Sequence, residues 1–309
     1  MSPWHGRLAR GNKQSPWDRH LARRVSAWLK LCRISNLPTV WSNALLGLAL
    51  GASSSDTNLV ITPSVLVILS LSLLYTAGMI LNDAFDADID RIERPSRPIP
   101  SGHVSRVTAF MFGASLLAIG VGLAFAANHP AGIHASVLTA CIIAYNAIHA
   151  RTASSIILMA ACRALAVLTA ASALSVSPDP ATISVAVTIG IYTLAISLLA
   201  RDEALSQTRA PSITARALLP VGPVIAWFVL NQAPTLGAGA IAIITLGWLG
   251  LVTVRAVIGR RVPAVLAALA GFSLVDTALL AALDQPQLAS VALLCFILTT
   301  LAHKHVPGT

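Results

Sequence analysis

Ten stretches of roughly 20 predominantly apolar residues follow one another along this chain, and no other feature restricts its fold as strongly. A helix of that length crosses the hydrocarbon core of a bilayer, about 30 Å thick. No water reaches an exposed peptide group there, so each segment must close its own backbone hydrogen bonds as a helix. The spans fall near 35–53, 62–82, 105–127, 131–149, 154–174, 182–200, 215–230, 236–258, 263–283 and 287–303, about two thirds of the 309 residues. Charged residues make up 11% of the chain, against roughly a quarter in soluble domains, and the mean hydropathy is +0.76. So few charges do not cover a water-facing surface of this size, which excludes a soluble globular enzyme, a disordered chain and a disulfide-stapled domain. Cys32, Cys141, Cys162 and Cys295 lie in or beside spans without Cys-x-x-Cys spacing, as small packing residues do. The predicted fold is an all-α polytopic membrane protein of nine to ten transmembrane helices, with 287–303 the stretch that separates nine from ten.

A net charge of +9 would suit nucleic acid if it were spread over a surface, but it alternates with the spans. The connections at 53–58, 127–132, 175–181, 231–235 and 284–287 hold no Lys or Arg. The other set holds Arg91, Arg94, Arg97, Arg106, Arg151, Arg209, Arg216, Arg260, Arg261 and Lys304. Short loops rich in Lys and Arg stay cytoplasmic, so the expected topology puts the N-terminus and the even-numbered span ends inside. That makes an integral protein of the plasma or inner membrane, with the lipid bilayer and no nucleic acid as partner. Residues 1–30 read as a basic cytoplasmic tail without the apolar run of a signal peptide. Trp4, Trp17 and Trp28 are interspersed in it, and it ends in an interfacial helix around Leu21–Leu31. Residues 31–309 form the transmembrane domain.

The stretch Leu81 to Gly102 carries the chemistry. Five of the chain's twelve acidic residues fall between Asp83 and Glu93, at the end of the second span. On a helix turning about 100° per residue, Asp83, Asp86 and Asp90 lie within about 60° of one another and Asp88 points away. Three carboxylates on one face repel unless a cation neutralises them, and hard oxygen ligands of this kind suit Mg2+, which bridges to substrate phosphates. Arg94 and Arg97 just beyond match phosphoryl oxygens with guanidinium forks. Carboxylates for the metal and arginines for the phosphates describe a diphosphate site. The bland alternative is a solvated turn with local salt bridges, which the shared face and the adjoining Asn82 disfavour.

Asn82-Asp83-x-x-Asp86-x-x-x-Asp90, followed by Arg94, Arg97-Pro98 and Ser101-Gly102, resembles the first aspartate-rich motif of the UbiA superfamily of intramembrane prenyltransferases. Arg33-x-x-Asn36 and Tyr145-x-x-x-His149-x-Arg151 add to the likeness, and Met159–Leu165 looks closest to the EboC-like branch. The resemblance implies a helical bundle around a lateral, lipid-facing cavity, and Mg2+-dependent transfer of a prenyl group from a prenyl diphosphate donor to a small acceptor, aromatic or polar and cyclitol-like. It implies Asn82, Asp83, Asp86 and Asp90 as the catalytic set, the three aspartates as metal ligands, and Arg94, Arg97, Asn36, His149 and Arg151 as substrate contacts.

The family's second motif, Asp-x-x-x-Asp, is degraded here. Aligning Tyr75-Thr76 with Tyr192-Thr193 sets Glu203 against Asp86 and Gln207 against Asp90, with Asp202 about 100° off the face. Glu203 and, more weakly, Asp202 are the expected second metal ligands, with Arg201 beside them for the diphosphate. Arg163 sits inside the fifth span, where a charge is costly unless it faces a cavity or a partner. It is read as a substrate contact against a structural pair. Asp276 reads as structural, Asn43 as an acceptor contact or an interhelical bond, and His103 as a mouth residue able to take a proton or simply solvated. Two rivals remain at this point: a multi-span transporter, and a family member that binds an isoprenoid without transferring it.

Overall fold

The computed structural model describes residues 16–55, 60–148, 152, 155–205, 213–230 and 235–304, with the side chains at 16–23, 202–205 and 261 outside that description. All regular structure among the described residues is helical. In order it comprises α1 (Pro16–Leu31), a short 3-10 turn (Ile34–Asn36), α2 (Leu37–Ser54), α3 (Ile61–Phe85), α4 (Ala87–Glu93), α5 (Arg106–Ala127), α6 (His129–Ile148), α7 (Ser155–Ala171), α8 (Pro180–Leu205), α9 (Ile213–Leu230), α10 (Leu236–Val257), α11 (Arg261–Ala282) and α12 (Pro286–Ala302).

Each of the ten apolar stretches becomes a helix within a few residues of its expected bounds. Seven of them (α3, α5, α6, α8, α9, α10 and α11) are long and apolar enough to cross a membrane. The other three fall short for different reasons. At 17 residues each, α7 and α12 reach about 26 Å, and α2 is diluted by Thr39, Ser42 and Asn43, all buried. The protein is an integral membrane protein. Starts are marked where expected: Ser105 Oγ accepts from Thr108 N at 3.0 Å below α5, and Asp179 Oδ1 accepts from Thr182 N at 2.8 Å at the head of α8.

Helices α2 and α7 run through the middle and serve two apolar cores. One gathers Leu71, Leu74, Leu81, Leu117 and Leu138 from α3, α5 and α6. The other gathers Tyr192, Leu199, Leu219, Leu249 and Phe272 from α8 to α11. The two central helices approach closely because Gly47 and Gly51 carry no side chain. A methyl at Gly47 would sit 2.5 Å from the carbonyl oxygen of Val167, and one at Gly51 would strike that of Ala171. Lipid gives helices no hydrophobic reason to associate, so such small-residue seams supply contact instead.

At the end of α3 the chain makes a one-residue offset at Asp86 (φ −80, ψ −1) before α4. Helical bonding continues through it, with Asp86 N to Asn82 O at 3.0 Å and Asp90 N to Asp86 O at 2.8 Å. Arg106 fastens the joint from α5, donating from Nε to Ala84 O at 2.9 Å and from Nη1 to Asp88 Oδ2 at 2.9 Å.

Candidate active site

A cavity of about 1250 Å³ opens between α2, α3, α6, α7, α8 and α11, larger than the roughly 300–1,000 Å³ of ordinary ligand pockets. Arg33, Arg94, Arg97 and Arg260 line it at the α3–α4 end. Leu71, Leu74, Leu138, Ile142, Ala166 and Phe272 line its walls. On α3 the lining runs from Met79 back to Leu71, about 12 Å of helix. One end is cationic, and the rest is mostly apolar, with Arg163, Thr193 and Ser197 among its polar exceptions.

The acids sit behind that cationic end. Asn82, Asp83 and Asp90 are buried, at 8%, 6% and 2% exposure. Arg97 Nη1 donates to Asp90 Oδ2 at 2.6 Å and to Asp83 Oδ1 at 3.3 Å. Arg33 Nη2 reaches Asp83 Oδ1 and Asn82 Oδ1, each at 3.3 Å. Asn82 Nδ2 in turn donates to Asn146 Oδ1 on α6 at 3.2 Å. Asp86, at the offset, is half-buried. Asp88 stands on the far side as its helical phase requires, exposed and paired with Arg106 at 2.9 Å and Arg91 at 3.5 Å. The arginines therefore form the cavity wall, and Asp83, Asp86 and Asp90 do not line it. Their repulsion is relieved here by guanidinium groups, one of them 50 residues away in sequence.

Arg33 also departs from ordinary backbone, with φ 42 and ψ 48, a left-handed conformation costing roughly 1–2 kcal/mol for a residue with a Cβ. It was visible in the sequence only as part of Arg33-x-x-Asn36. Asn146 and the cavity-lining Arg260 carried no sequence signal of this kind.

The remaining expected residues divide. Arg94, Asn36 and Arg163 line the cavity, and Asn36 Oδ1 meets His303 Nε2 at 2.6 Å. Burial keeps the His303 imidazole below its usual pKa of 6.5. Arg163 is held on three sides: Nη1 to Asn43 Oδ1 at 2.7 Å, Nη2 to Thr39 Oγ1 at 2.9 Å, and its guanidinium 4.3 Å over the Phe272 ring. Asn43 and Ser42 bind Asp276, at 2.7 and 2.6 Å at closest, so Asn43 makes an interhelical bond and Asp276 is structural. Arg201 is exposed and does not line the cavity. Nor does His103, which bonds Ser101 Oγ at 2.7 Å. Asp202 and Glu203 lie in the last turn of α8 with side chains outside the described residues, as are His149, Arg151 and Gln207.

The donor chemistry around Arg97 suits a small hard cation. Asp83 and Asp90 each place an oxygen within 3.3 Å of one nitrogen, and Asn82 adds an amide oxygen. Among the described residues no three of His, Cys, Asp and Glu converge as a ready metal site, so two carboxylates leave the rest of an octahedral shell to water and substrate oxygens.

A membrane-embedded helical bundle with acids and arginines at one end of an apolar cavity defines the class, and comparison with known proteins gives the family. The UbiA prenyltransferase family pattern matches residues 37–298, and the chain belongs to that family. It is similar over 104 residues, at 35% identity, to digeranylgeranylglyceryl phosphate synthase of Methanopyrus kandleri, covering 34% of this chain and 36% of that one. The enzyme of the same name from Methanosarcina mazei is 48% identical over 67 residues, 22% of this chain and 23% of that one. These matches span about a third of the relatives' length or less. Among solved structures, a UbiA homologue from Aeropyrum pernix in its apo form covers 81% of this chain and 97% of its own, at 18% identity and a TM-score of 0.63. One from Archaeoglobus fulgidus bound to GPP and Mg2+ covers 81% and 99%, at 18% identity and 0.55. At that identity the likeness is one of fold. The match sets aside the transporter and leaves the branch within the superfamily open.

Proposed function

We propose that this protein transfers a prenyl group from a prenyl diphosphate to a small acceptor within the membrane, with Mg2+ as cofactor. The observation that carries the reading is the buried pair Asp83 and Asp90 set with Arg33 and Arg97 at the polar end of an apolar cavity. It agrees with the family and with a homologue that binds GPP and Mg2+. When bound, Mg2+ supplies positive charge against the leaving diphosphate. Asp83, Asp86 and Asp90, with Asn82 beside them, would hold that ion, and Glu203 and, more weakly, Asp202 would be the second set. Arg33, Arg94 and Arg97 take the diphosphate oxygens as charge develops on them. Leu71, Leu74, Leu138 and Ile142 hold the prenyl chain and keep water from the allylic carbon. Asn36 and Arg163 contact the acceptor, with His149 and Arg151 completing that side. The prenyl chain stays in hydrocarbon throughout, and the one-sided Lys and Arg distribution supports a cytoplasmic N-terminus and active-site end.

The test is product formation. Purified protein in liposomes receives labelled prenyl diphosphates of several lengths and a panel of acceptors, glycerophosphate lipids, cyclitols and phenols among them, and products are identified by mass. The expected result is a Mg2+-dependent prenylated product lost in Asp83→Ala. Retention of the donor with no product and no diphosphate release across the panel would favour the non-catalytic, isoprenoid-binding reading.

A further inference from the structure

Away from the α3–α4 turn, one more guanidinium meets the cavity. Arg163 lies about 12 Å into α7 from Ser155 and lines the wall there. A guanidinium carries five N–H donors, and three of those on Arg163 are taken. Nη1 donates to Asn43 Oδ1 at 2.7 Å and to Thr39 O at 3.4 Å, and Nη2 donates to Thr39 Oγ1 at 2.9 Å. The Phe272 ring, 4.3 Å away, covers one face of the group. What is left is the edge formed by Nε and the second hydrogen of Nη2. Nε makes no hydrogen bond among the described residues, and it is not one of the polar atoms sealed inside the protein without a partner. That edge therefore opens on the cavity.

The charge of Arg163 is no better matched than its donors. Its hydrogen-bond partners and the Phe272 ring are all uncharged. Among the described residues no carboxylate pairs with it, and Asp276 is reached only through Asn43. A cation inside a span with no counter-charge in contact is costly and points to a ligand. Two parallel N–H groups, held in one plane by Thr39, Asn43 and Phe272, match the two oxygens of a carboxylate or a phosphate monoester. Ala166, one turn on along α7, and Leu269, one turn before Phe272, keep the neighbouring wall apolar. The edge thus suits an oxyanion carried on an apolar body.

Resting on the reading under Proposed function, we propose that Arg163 is an oxyanion subsite apart from the diphosphate end, and that the prenyl acceptor carries a carboxylate or phosphate monoester seated side-on against Nε and Nη2. Uncharged phenols and cyclitols leave the Arg163 charge unmatched and are poor acceptors. No bond forms or breaks at Arg163; it binds the acceptor and selects it.

Equilibrium dialysis of the full-length protein in nonionic detergent reads this without turnover. The probes are hexanoate and hexyl phosphate, each beside its uncharged counterpart, hexanamide or hexanol. Saturating Mg2+ and inorganic diphosphate are present throughout, to occupy the arginines at the polar end. The parent protein should retain at least one of the anions about tenfold more tightly than its counterpart, and which one identifies the acceptor's group. Arg163→Gln should abolish that preference and leave the uncharged probes within about twofold. Arg163→Lys keeps the charge but loses the fork; it should lose part of the preference, and it serves where Arg163→Gln does not fold. In the product assay, Arg163→Lys should raise KM for an anionic acceptor and leave KM for the prenyl diphosphate nearly unchanged. No anion preference in the parent, a preference untouched by both substitutions, or a rise confined to the prenyl diphosphate KM would overturn the subsite while leaving prenyl transfer standing. An anion preference that Arg163→Gln abolishes, with no prenylated product from any acceptor, would overturn prenyl transfer and not the subsite.

Discussion

Asp276 lies inside α11 at 0% exposure, and the structure fixes what its loss should cost. Ser42 Oγ donates to it at 2.6 Å, and Asn43 Nδ2 at 2.7 and 2.9 Å. Asn43 passes the connection on to Arg163, so three helices, α2, α7 and α11, meet at this carboxylate. Neutral hydrogen bonds between membrane helices average only about 0.6 kcal/mol. A charged acceptor is worth about 1.5–3 kcal/mol per bond, and breaking a buried charged network typically costs about 3–5 kcal/mol because its partners are stranded. Two buried donors lose their acceptor in Asp276→Ala, each costing about 1–3 kcal/mol when left unsatisfied, and the bonds that lead on to Arg163 lose their anchor, so the loss should be about 3–5 kcal/mol. Asp276→Asn keeps one acceptor and should cost about half as much. Reversible unfolding in mixed micelles, followed by tryptophan fluorescence, measures both. A double-mutant cycle adds the decisive comparison: Arg163→Met with Asp276→Leu should cost at least about 1 kcal/mol less than the two changes summed. Asp276→Ala within about 1 kcal/mol of the parent, or a cycle additive to within about 0.5 kcal/mol, would refute the network.

Asp83→Ala should abolish prenyl transfer, whereas Asp88→Ala, which loses only exposed pairs to Arg91 and Arg106, should leave the rate within about a factor of two; equal damage in a product assay would contradict the shared-face reading. Gly51→Leu should prevent the α2–α7 approach and lower the unfolding midpoint far more than Gly237→Leu, where nothing lies within 4 Å. Because the folded pKa of His303 is depressed below 6.5, its contribution to stability is fully present above 6.5 and is lost as pH falls from there through the lower folded pKa. His303→Gln should therefore flatten the acid side of the stability profile, and an unchanged profile would count against the buried neutral imidazole. Single-cysteine labelling should report Ser54 and Ser177 on one membrane face and Ser101 on the other, and a shared face for Ser54 and Ser101 would overturn the topology.

Much of the fold was legible because run length is a direct report on bilayer thickness. The helices that fall short of a full span, α2, α7 and α12, were still located by their apolar runs. The phase of Asp83, Asp86, Asp88 and Asp90 was legible too, since a helical turn places side chains without reference to the rest of the molecule. What periodicity does not report is which helix faces which. Asn43 and Asp276 are 233 residues apart, and the sequence offered Asn43 two roles with nothing to choose between them. Arg97 looked like a phosphate ligand in waiting and is engaged with two acids. Arg33 gave no hint that it reaches Asp83 across 50 positions. The degraded second motif at Glu203 and Gln207 stays a sequence inference, because those side chains lie outside the described residues.

The central claim is that the α3–α4 turn holds a metal and a diphosphate at the polar end of the cavity. The most direct measurement is a structure of the protein with Mn2+ and a non-ionisable prenyl thiolodiphosphate, the ion located by its anomalous signal. Mn2+ is expected at ligand distance, about 2.0–2.1 Å as for Mg2+, from Asp83 and Asp90, with Arg97 turned onto the diphosphate and the prenyl chain along Leu71 and Leu74. Metal and diphosphate bound elsewhere, with Arg97 still joining Asp83 to Asp90, would contradict the claim.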